Sequence, residues 1–154
     1  MSRLVALRDA GFEALAALHA EAFDRPWSPN EIETMAAAYG AFGMAAMEER
    51  ELLGFILLRA MAGEAEVLTV AVAAGRRRQG VGRALVEAAA ATARSVGAEE
   101  IFLEVAEDNP AAIALYETAG YEPVGRRPGY YPRAKGAVDA ILLRARLNSA
   151  PAPV

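Results

Sequence analysis

An apolar segment that runs into a turn of arginines and glycines, and then into a helix, constrains the fold of this chain more than any other feature. Residues 67–72 are rich in β-branched side chains, which predicts a strand buried on both faces. From Val81 onward the apolar residues recur at helical spacing. Between strand and helix lie Arg76–Arg78, Gly80 and Gly82. Because glycine lets backbone N–H groups approach an anion, and a helix start carries unpaired N–H groups, the segment predicts a pyrophosphate site.

Other phosphate-binding motifs fit these residues less well. A P-loop requires Gly-Lys followed by Ser or Thr, and the chain has no such tripeptide. A Rossmann fingerprint requires a small residue where Leu85 stands and requires its glycines directly after the strand, and this chain meets neither requirement. Glu104 does lie about 20 residues after the glycines, where that motif has a ribose-binding acid. From these residues alone, a basic solvated loop before an ordinary helix also remains open.

Short strands and helices alternate along the rest of the chain. The second to fourth strands follow one another through tight turns, which predicts an antiparallel meander, and the helix after the fourth strand predicts a right-handed parallel crossover. The expected fold class is α+β, with a mixed, mostly antiparallel sheet of about seven strands and about four helices. We expect one domain over residues 1–147 and a flexible Pro- and Ala-rich tail over 148–154. The predicted strands are 3–8, 43–47, 52–59, 64–72, 101–105, 121–124 and 138–147, and the predicted helices are 10–23, 29–39, 79–96 and 110–119.

Composition argues against several classes of protein. The net charge of −4 argues against a nucleic-acid-binding protein, although the 16 basic residues, all arginine except Lys135, cluster locally as a polyanionic cofactor would require. The absence of cysteine excludes a disulfide framework and a cysteine nucleophile, and with a single histidine no metal site is expected. Early charges and short apolar runs predict neither a signal peptide nor a membrane span, so we expect a cytoplasmic protein.

Several side chains have both a structural and a functional interpretation. Glu104 stands in an apolar strand, on the face opposite its apolar neighbours, so its carboxylate lies either on an exposed face or in a cleft; spacing alone favours the exposed face. Tyr116 fits a core aromatic residue, Asn109 a helix N-cap and Trp27 a hydrophobic staple. His19, remote in sequence from the other candidates, fits a surface histidine or a hydrogen-bonded structural one.

Two stretches resemble the GCN5-related N-acetyltransferase (GNAT) superfamily. Arg77–Gly82 resembles its Arg/Gln-x-x-Gly-x-Gly/Ala motif, and residues 103–121 resemble its second signature, in the form most similar to bacterial ribosomal-protein-alanine N-acetyltransferases of RimI type. The chain departs from the usual pattern at Ala73–Arg76, which replaces an Asp-Pro and an aromatic residue, and at Thr69 and Pro110. Further matches extend the resemblance over nearly the whole chain, at 26–28, 64–68, 126–132 and 139–143.

The resemblance implies where a cofactor and a substrate bind. In this superfamily the fourth and fifth strands splay apart, and the thioester of acetyl-coenzyme A (acetyl-CoA) lies between them. Glu104 is then the expected general base and Tyr116 the expected general acid, with no metal. The expected contacts to acetyl-CoA are Val70, Ala71, Val72, Arg77, Arg78, Gln79, Gly80, Val81, Gly82, Arg83 and Asn109. The expected substrate groove consists of Trp27, Glu66, Tyr130 and Tyr131, although Tyr130-Tyr131 followed by proline also fits a rigid surface turn.

By the same resemblance, the expected reaction is acetyl transfer from acetyl-CoA to the N-terminal α-amine of a protein, most directly the N-terminal alanine of an S18-like ribosomal protein of the small subunit. An α-amine of pKa near 8 is roughly 10% neutral at pH 7, against about 0.04% for lysine, so a weak base can serve it. The absence of cysteine favours direct transfer in a ternary complex. An acetyltransferase for a small-molecule amine or a lysine side chain, and a coenzyme-binding module without catalysis, remain alternatives. The expected partner is a protein N-terminus, without nucleic acid or membrane, and the expected state is a monomer or weak dimer.

Overall fold

A computed structural model describes residues 2–77 and 79–147 of the chain. Met1, Arg78 and residues 148–154 lie outside the described residues, and with them one predicted cofactor contact and the predicted tail. The described residues form seven strands, five α-helices and one 3-10 turn. The strands are β1 (Arg3–Val5), β2 (Ala41–Glu48), β3 (Glu51–Met61), β4 (Glu64–Val72), β5 (Glu100–Ala106), β6 (Glu122–Tyr131) and β7 (Val138–Arg146). The helices are α1 (Leu7–Ala10), α2 (Phe12–Ala22), α3 (Pro29–Ala36), α4 (Val81–Ser95) and α5 (Pro110–Thr118), and the 3-10 turn is Ala74–Arg76.

The sheet is mixed, as the sequence predicts. Its strands lie in the order β1-β2-β3-β4-β5-β7-β6. The neighbours β4 and β5 are parallel, and the other neighbouring strands are antiparallel. Because β7 returns between β5 and β6, the last hairpin of the chain lies beside β5. The expected α+β class is confirmed, and α1 is a single additional turn beyond the four predicted helices.

The two parallel strands separate after a short paired stretch. Among the described residues, pairing covers Glu64–Glu66 of β4 and Glu100–Phe102 of β5, although both strands continue. The register of β4 against β3 also shifts near this point, and such a bulge increases the local twist of a strand. The second halves of β4 and β5 therefore diverge. The gap between them, from here on the wedge, lies between Val67–Val72 and Leu103–Ala106. Within the described part of the chain, no strand pairs with the backbone groups along its two edges.

Helices cover both faces of the sheet. Alternate residues of a strand point to opposite faces, and β3 accordingly divides its side chains between two clusters. Ile56 belongs to the cluster formed with α4 and α5, where Leu85 of α4 is fully buried. Phe55 belongs to the cluster formed with α1, α2 and α3, where Leu15 and Ile32 are fully buried.

The ends of the helices follow the predicted capping chemistry. Ser28 caps α3, and it forms with Glu31 the reciprocal capping box that their spacing predicts. Asn109 caps α5, since its Oδ1 accepts the N–H of Ala112 at 3.2 Å. Gly97 follows α4 with φ 94°, as expected of a left-handed C-terminal residue. Among the residues that the structure describes, no helix is long and apolar enough to cross a membrane.

Most predicted boundaries lie within about three residues of the observed ones, but two of the predicted strands end at the wrong place. The first strand, predicted over 3–8, ends at Val5, and Leu7 begins α1. The backbone turns here, since the N–H of Asp9 donates to the carbonyl of Ala6 at 3.0 Å, and the turn buries the side chain of Leu7 (6% exposed). The sixth strand does not end at Val124 but continues to Tyr131. Its glycines and prolines indicated a loop, but β6 is an edge strand, and two register shifts against β7 absorb those residues.

Candidate active site

The start of α4 has the backbone geometry of an anion-binding site. Gly80 precedes the helix in a left-handed conformation with φ 82°, and within the described part of the chain no side chain caps this helix. A Cβ at Gly80 would meet no heavy atom within 4 Å, so the space around it is open. The N–H groups of Val81 and Gly82 have no partner within the helix, which makes them candidates for binding the oxygen atoms of a diphosphate.

Gly82 has a different role from Gly80. A Cβ at this position would lie 3.1 Å from Cδ2 of Leu115 on α5 and 3.5 Å from Cγ2 of Val72 on β4. The absence of a side chain thus allows the first turn of α4 to pack closely against the end of β4. This packing fixes the predicted diphosphate site relative to the wedge.

Arg76 braces the turn that precedes the helix. Its guanidinium contacts Glu48 at 2.9 Å and Glu51 at 2.8 Å, on the hairpin between β2 and β3. Its Nη1 also donates to Oε1 of Gln79 at 3.4 Å. Since two carboxylates already balance its charge, Arg76 serves the loop rather than a ligand. The sequence contained no signal for this brace, which holds the turn where the usual Asp-Pro is absent.

The other arginines of the turn differ in their surroundings. Arg77 is exposed, directly before the glycines. Arg83 forms an i,i+4 ion pair with Glu87 at 2.7 Å, so it remains close to the helix start while its charge is partly balanced. Arg78, the third predicted cationic contact, lies outside the described residues.

Glu104 lies at the edge of the wedge. Leu103 and Val105, its neighbours on β5, belong to the cluster under α4 and α5, so the side chain of Glu104 points to the opposite face. Only 19% of that side chain is exposed, and Oε1 lies 3.0 Å from Nε of Arg127. The interpretation of Glu104 as a residue on an open face is therefore wrong, because β6 and β7 fold back beside β5 and form a cleft.

A cavity of about 420 Å³ adjoins this carboxylate. Glu66 and Glu104 both line it, as do Glu64, Phe102 and Leu142. The lining carries three carboxylates and also the guanidinium groups of Arg59 and Arg127, and the remaining negative balance favours a cationic group, such as an ammonium ion, among its occupants. The structure thus brings the predicted base and the predicted acidic wall of the substrate groove into the same cavity.

Arg127 is the charged partner of Glu104 that sequence analysis missed. It extends from β6 across β7, with 60% of its side chain exposed, and its guanidinium lies 5.4 Å from the ring centroid of Tyr130. The register of β6 against β7, which sets this reach, depends on a strand that the sequence predicted to end before Arg127. A pair of adjacent arginines was the only local signal.

Tyr116 lies on α5 and is 4% exposed, within the cluster beneath α4. Its ring meets Tyr121 edge-on at 5.6 Å between centroids. Burial, and to a smaller extent the charge of Tyr131, raises the pKa of Tyr116 above its ordinary value of 10. Burial and then the charge of Glu104 raise the pKa of Tyr131 in turn. Tyr131 is therefore electrostatically linked to both predicted catalytic groups, and Tyr116 remains protonated at physiological pH.

The hairpin that carries Tyr130 and Tyr131 is held in place by ion pairs. Arg126 bridges Glu107, just beyond β5, and Asp139 on β7, and Asp139 also accepts the N–H of Gly129 at 2.9 Å. Glu107 lies two residues before Asn109, whose Oδ1 caps α5. The hairpin is thus tied to the segment that leads from β5 to α5.

Two of the predicted groove residues, Tyr130 and Trp27, differ in burial. Tyr130 is half exposed and packs edge-on against Tyr131, with 5.0 Å between ring centroids. Trp27 is partly buried in the loop between α2 and α3, where its ring stacks on His19 at 4.7 Å. Its predicted structural contact to the core is therefore present, beside any contact to a substrate.

Residues 12–121 match the Acetyltransferase (GNAT) family. The chain belongs to this family. Among curated relatives, the ribosomal protein bS18-alanine N-acetyltransferase of Escherichia coli strain K12 is 34% identical over 132 residues, which cover 83% of this chain and 87% of the relative. The N-alpha-acetyltransferase RimI of Mycobacterium tuberculosis is 34% identical over 145 residues, which cover 90% and 89%.

A solved structure agrees with this GNAT assignment. The crystal structure of the ribosomal-protein-S18-alanine N-acetyltransferase from Escherichia coli superposes with a TM-score of 0.89 at 27% identity, over 100% of this chain and 99% of that chain. The chain is therefore a GNAT enzyme, an acetyl-CoA-dependent acyltransferase. Among the described residues, no three His, Cys, Asp or Glu side chains are grouped so that they could hold a metal ion.

Proposed function

We propose that this GNAT enzyme transfers the acetyl group of acetyl-CoA to the N-terminal α-amine of a protein, with the N-terminal alanine of a small-subunit ribosomal protein as the first candidate. Two relatives of about one-third identity bear names that state this kind of reaction. The observation that carries the proposal is the position of Glu104, mostly covered, at the edge of the wedge and beside a cavity lined by further carboxylates. We propose further that residues 1–147 form one domain and that the enzyme acts in the cytoplasm.

The residues of the wedge fit acetyl-CoA as cosubstrate. The uncapped start of α4 would hold the diphosphate through the N–H groups of Val81 and Gly82, and Arg77 supplies a nearby positive charge. Beyond Glu66, alternate backbone groups of β4 point into the wedge, and Val70–Val72 would bond the amide groups of the pantetheine arm. When bound there, the cosubstrate supplies an activated acetyl thioester.

Glu104 accepts the proton that the amine must lose. An α-amine of pKa near 8 is partly neutral at pH 7, so a carboxylate acting directly or through one water suffices to remove the remaining proton. Glu66 attracts the ammonium form into the cavity, since both carboxylates line it. Trp27 and the Tyr130–Tyr131 pair bound the groove that the rest of the peptide would follow.

Tyr116 and the backbone of β4 serve the other side of the reaction. The N–H of Val70 would stabilise the carbonyl oxygen as it gains negative charge. Tyr116, kept protonated by burial, gives its proton to the departing thiolate. Since the chain has no cysteine, we propose direct transfer in a ternary complex rather than a thiol acyl-enzyme.

A panel of acceptors tests the proposal. Purified enzyme and acetyl-CoA are offered a peptide that begins with alanine and contains an internal lysine, the same peptide with a blocked N-terminus, and a polyamine. Thiol release gives kcat/KM, and mass spectrometry locates the acetyl group. We expect the free N-terminus to be preferred by roughly 100-fold, the order of the difference in neutral amine. Faster reaction with the blocked peptide or the polyamine would overturn the proposed substrate, and cofactor binding without transfer to any amine would overturn the reaction.

A further inference from the structure

His19 is a buried imidazole that joins three elements of the fold. It lies on α2 and is 2% exposed. The backbone N–H of Trp27 donates to its Nδ1 at 3.1 Å, and its Nε2 lies 3.1 Å from Oγ1 of Thr69 on β4. Its ring stacks on Phe23 at 4.3 Å and on Trp27 at 4.7 Å between centroids. The acetyl-transfer mechanism above makes no use of this residue.

The hydrogen bonds fix the protonation state of the ring. A backbone N–H can only donate, so Nδ1 must accept and carries no proton. In the neutral ring the proton then resides on Nε2, which donates to the hydroxyl of Thr69. An imidazolium would present a second N–H to the N–H of Trp27, and the two donors would repel each other.

We propose that His19 is a positioning residue: as a neutral imidazole it holds the Trp27 end of the loop between α2 and α3 against β4, and its protonation releases that loop. One end of the contact is the loop that carries a wall of the substrate groove. The other end, Thr69, directly precedes Val70 at the edge of the wedge. The part of the proposal that concerns peptide binding rests on the proposed function, whereas the docking of the loop does not.

The surroundings of the ring set the direction of its pH dependence. Among the described residues, the groups around it are Phe23, Trp27, Phe55, Thr69 and the carboxylate of Glu31. Burial lowers the pKa of His19 below its ordinary value of 6.5, and Glu31 opposes this to a smaller extent. Because the folded state binds this proton less readily than the unfolded chain, docking of the loop is fully present above pH 6.5 and weakens as the pH falls.

Trp27 is the single tryptophan of the chain, so its fluorescence reports the loop directly. The full-length enzyme is titrated from pH 8 downward, and the same titration is made with H19N and T69V. The side-chain oxygen of asparagine reaches the position of Nδ1 but does not titrate in this range. We expect the wild-type emission to change in one transition below pH 6.5, and we expect that transition to be absent in H19N. Y39A, at a residue that is 86% exposed, serves as the control and should follow the wild type.

Kinetics at pH 7.5 separate positioning from overall folding. H19L removes both hydrogen bonds, and loss of one of them, of about 1 kcal/mol, is enough to raise the KM for the peptide at least about fivefold, while the Kd for acetyl-CoA stays unchanged. H19N should restore most of the peptide affinity. T69V loses only the bond to β4 and provides the comparison if H19L fails to fold.

Two results would overturn the proposal: an acid transition of Trp27 that persists in H19N, or H19L and T69V enzymes with wild-type peptide KM. If the substrate proves to be another amine, the fluorescence experiment still decides whether His19 docks the loop.

Discussion

Replacement of Arg127 by glutamine isolates the one ionic contact of Glu104 among the described residues. The Nε–Oε1 distance is 3.0 Å. An α-ammonium group that enters the cavity competes with the guanidinium for the same carboxylate. Removal of the positive charge should therefore favour substrate binding, unless Arg127 itself binds the peptide.

Exposure decides how large this effect can be. At 3 Å, Coulomb's law gives about 1.4 kcal/mol with the dielectric constant of water and about 5.5 kcal/mol with an effective value of 20. Because Arg127 is 60% exposed, the measured range for exposed pairs, about 0.2–1 kcal/mol, is the appropriate one. We expect the KM for an alanine-initial peptide to fall up to about fivefold in the R127Q variant, with kcat within about twofold of the wild type.

The assay is initial-rate kinetics of peptide acetylation at low and at high salt. The difference between R127Q and wild type should shrink at about 1 M salt, where the Debye length falls to about 3 Å. R146Q removes an exposed arginine from the far end of β7 and serves as the control. A peptide KM that rises severalfold in R127Q would refute the reasoning, because Arg127 would then bind the substrate rather than compete with it.

Three further substitutions test separate parts of the site. E104Q should lower kcat by roughly 10²–10⁴-fold at pH 7 while acetyl-CoA still binds, and this loss should be about tenfold smaller at pH 9, where the α-amine is mostly neutral. E64Q, in the same cavity, is the control. An equal loss of kcat at both pH values would count against a general base. Y116F should lower kcat at least about tenfold without loss of stability, whereas Y121F should leave kcat unchanged. Because burial raises the pKa of Tyr116, the kcat of the wild type should not fall through deprotonation of this acid up to pH 10. Equal kcat values for Y116F and wild type would show that Tyr116 is not the general acid. G82A should raise the KM for acetyl-CoA, because its methyl group would lie 3.1 Å from Cδ2 of Leu115 and displace the start of α4 or the leucine side chain. Its stability should change by less than about 1 kcal/mol, since the gain in helix propensity offsets the tight contact. G75A, where a Cβ meets nothing within 4 Å, is the control, and a G82A enzyme with the wild-type KM in a cofactor titration would contradict the assigned role of Gly82.

Local patterns in the sequence predicted the elements of this fold well. The Ser28-Pro29-x-Glu31 spacing located the start of α3, and the switch from strand to helical spacing located β4 and α4. These signals depend on residues within one or two turns of each other. The sequence failed where pairing between distant segments decides the structure, as in β6, whose glycines and prolines indicated a loop.

The same distinction applies to the site. Alternation along β5 correctly separated Glu104 from its apolar neighbours, but whether its face is open or covered depends on β7 lying between β5 and β6. The contacts of Arg127 with Glu104, and of His19 with Thr69, join residues that are far apart in the chain, and a single sequence contains no local signal for either. The sequence singled out both glycines of the predicted phosphate-binding turn, but only the packing around them shows that their surroundings differ.

A structure of the enzyme with a coenzyme A–peptide conjugate would test the central claim most directly. We predict that its diphosphate oxygens accept the N–H groups of Val81 and Gly82, and that its chain crosses the wedge between β4 and β5. The nitrogen of the former N-terminus should lie within about 3.2 Å of Glu104, or one water away from it. A conjugate bound outside the wedge, or a Glu104 side chain turned into solvent away from that nitrogen, would contradict the account.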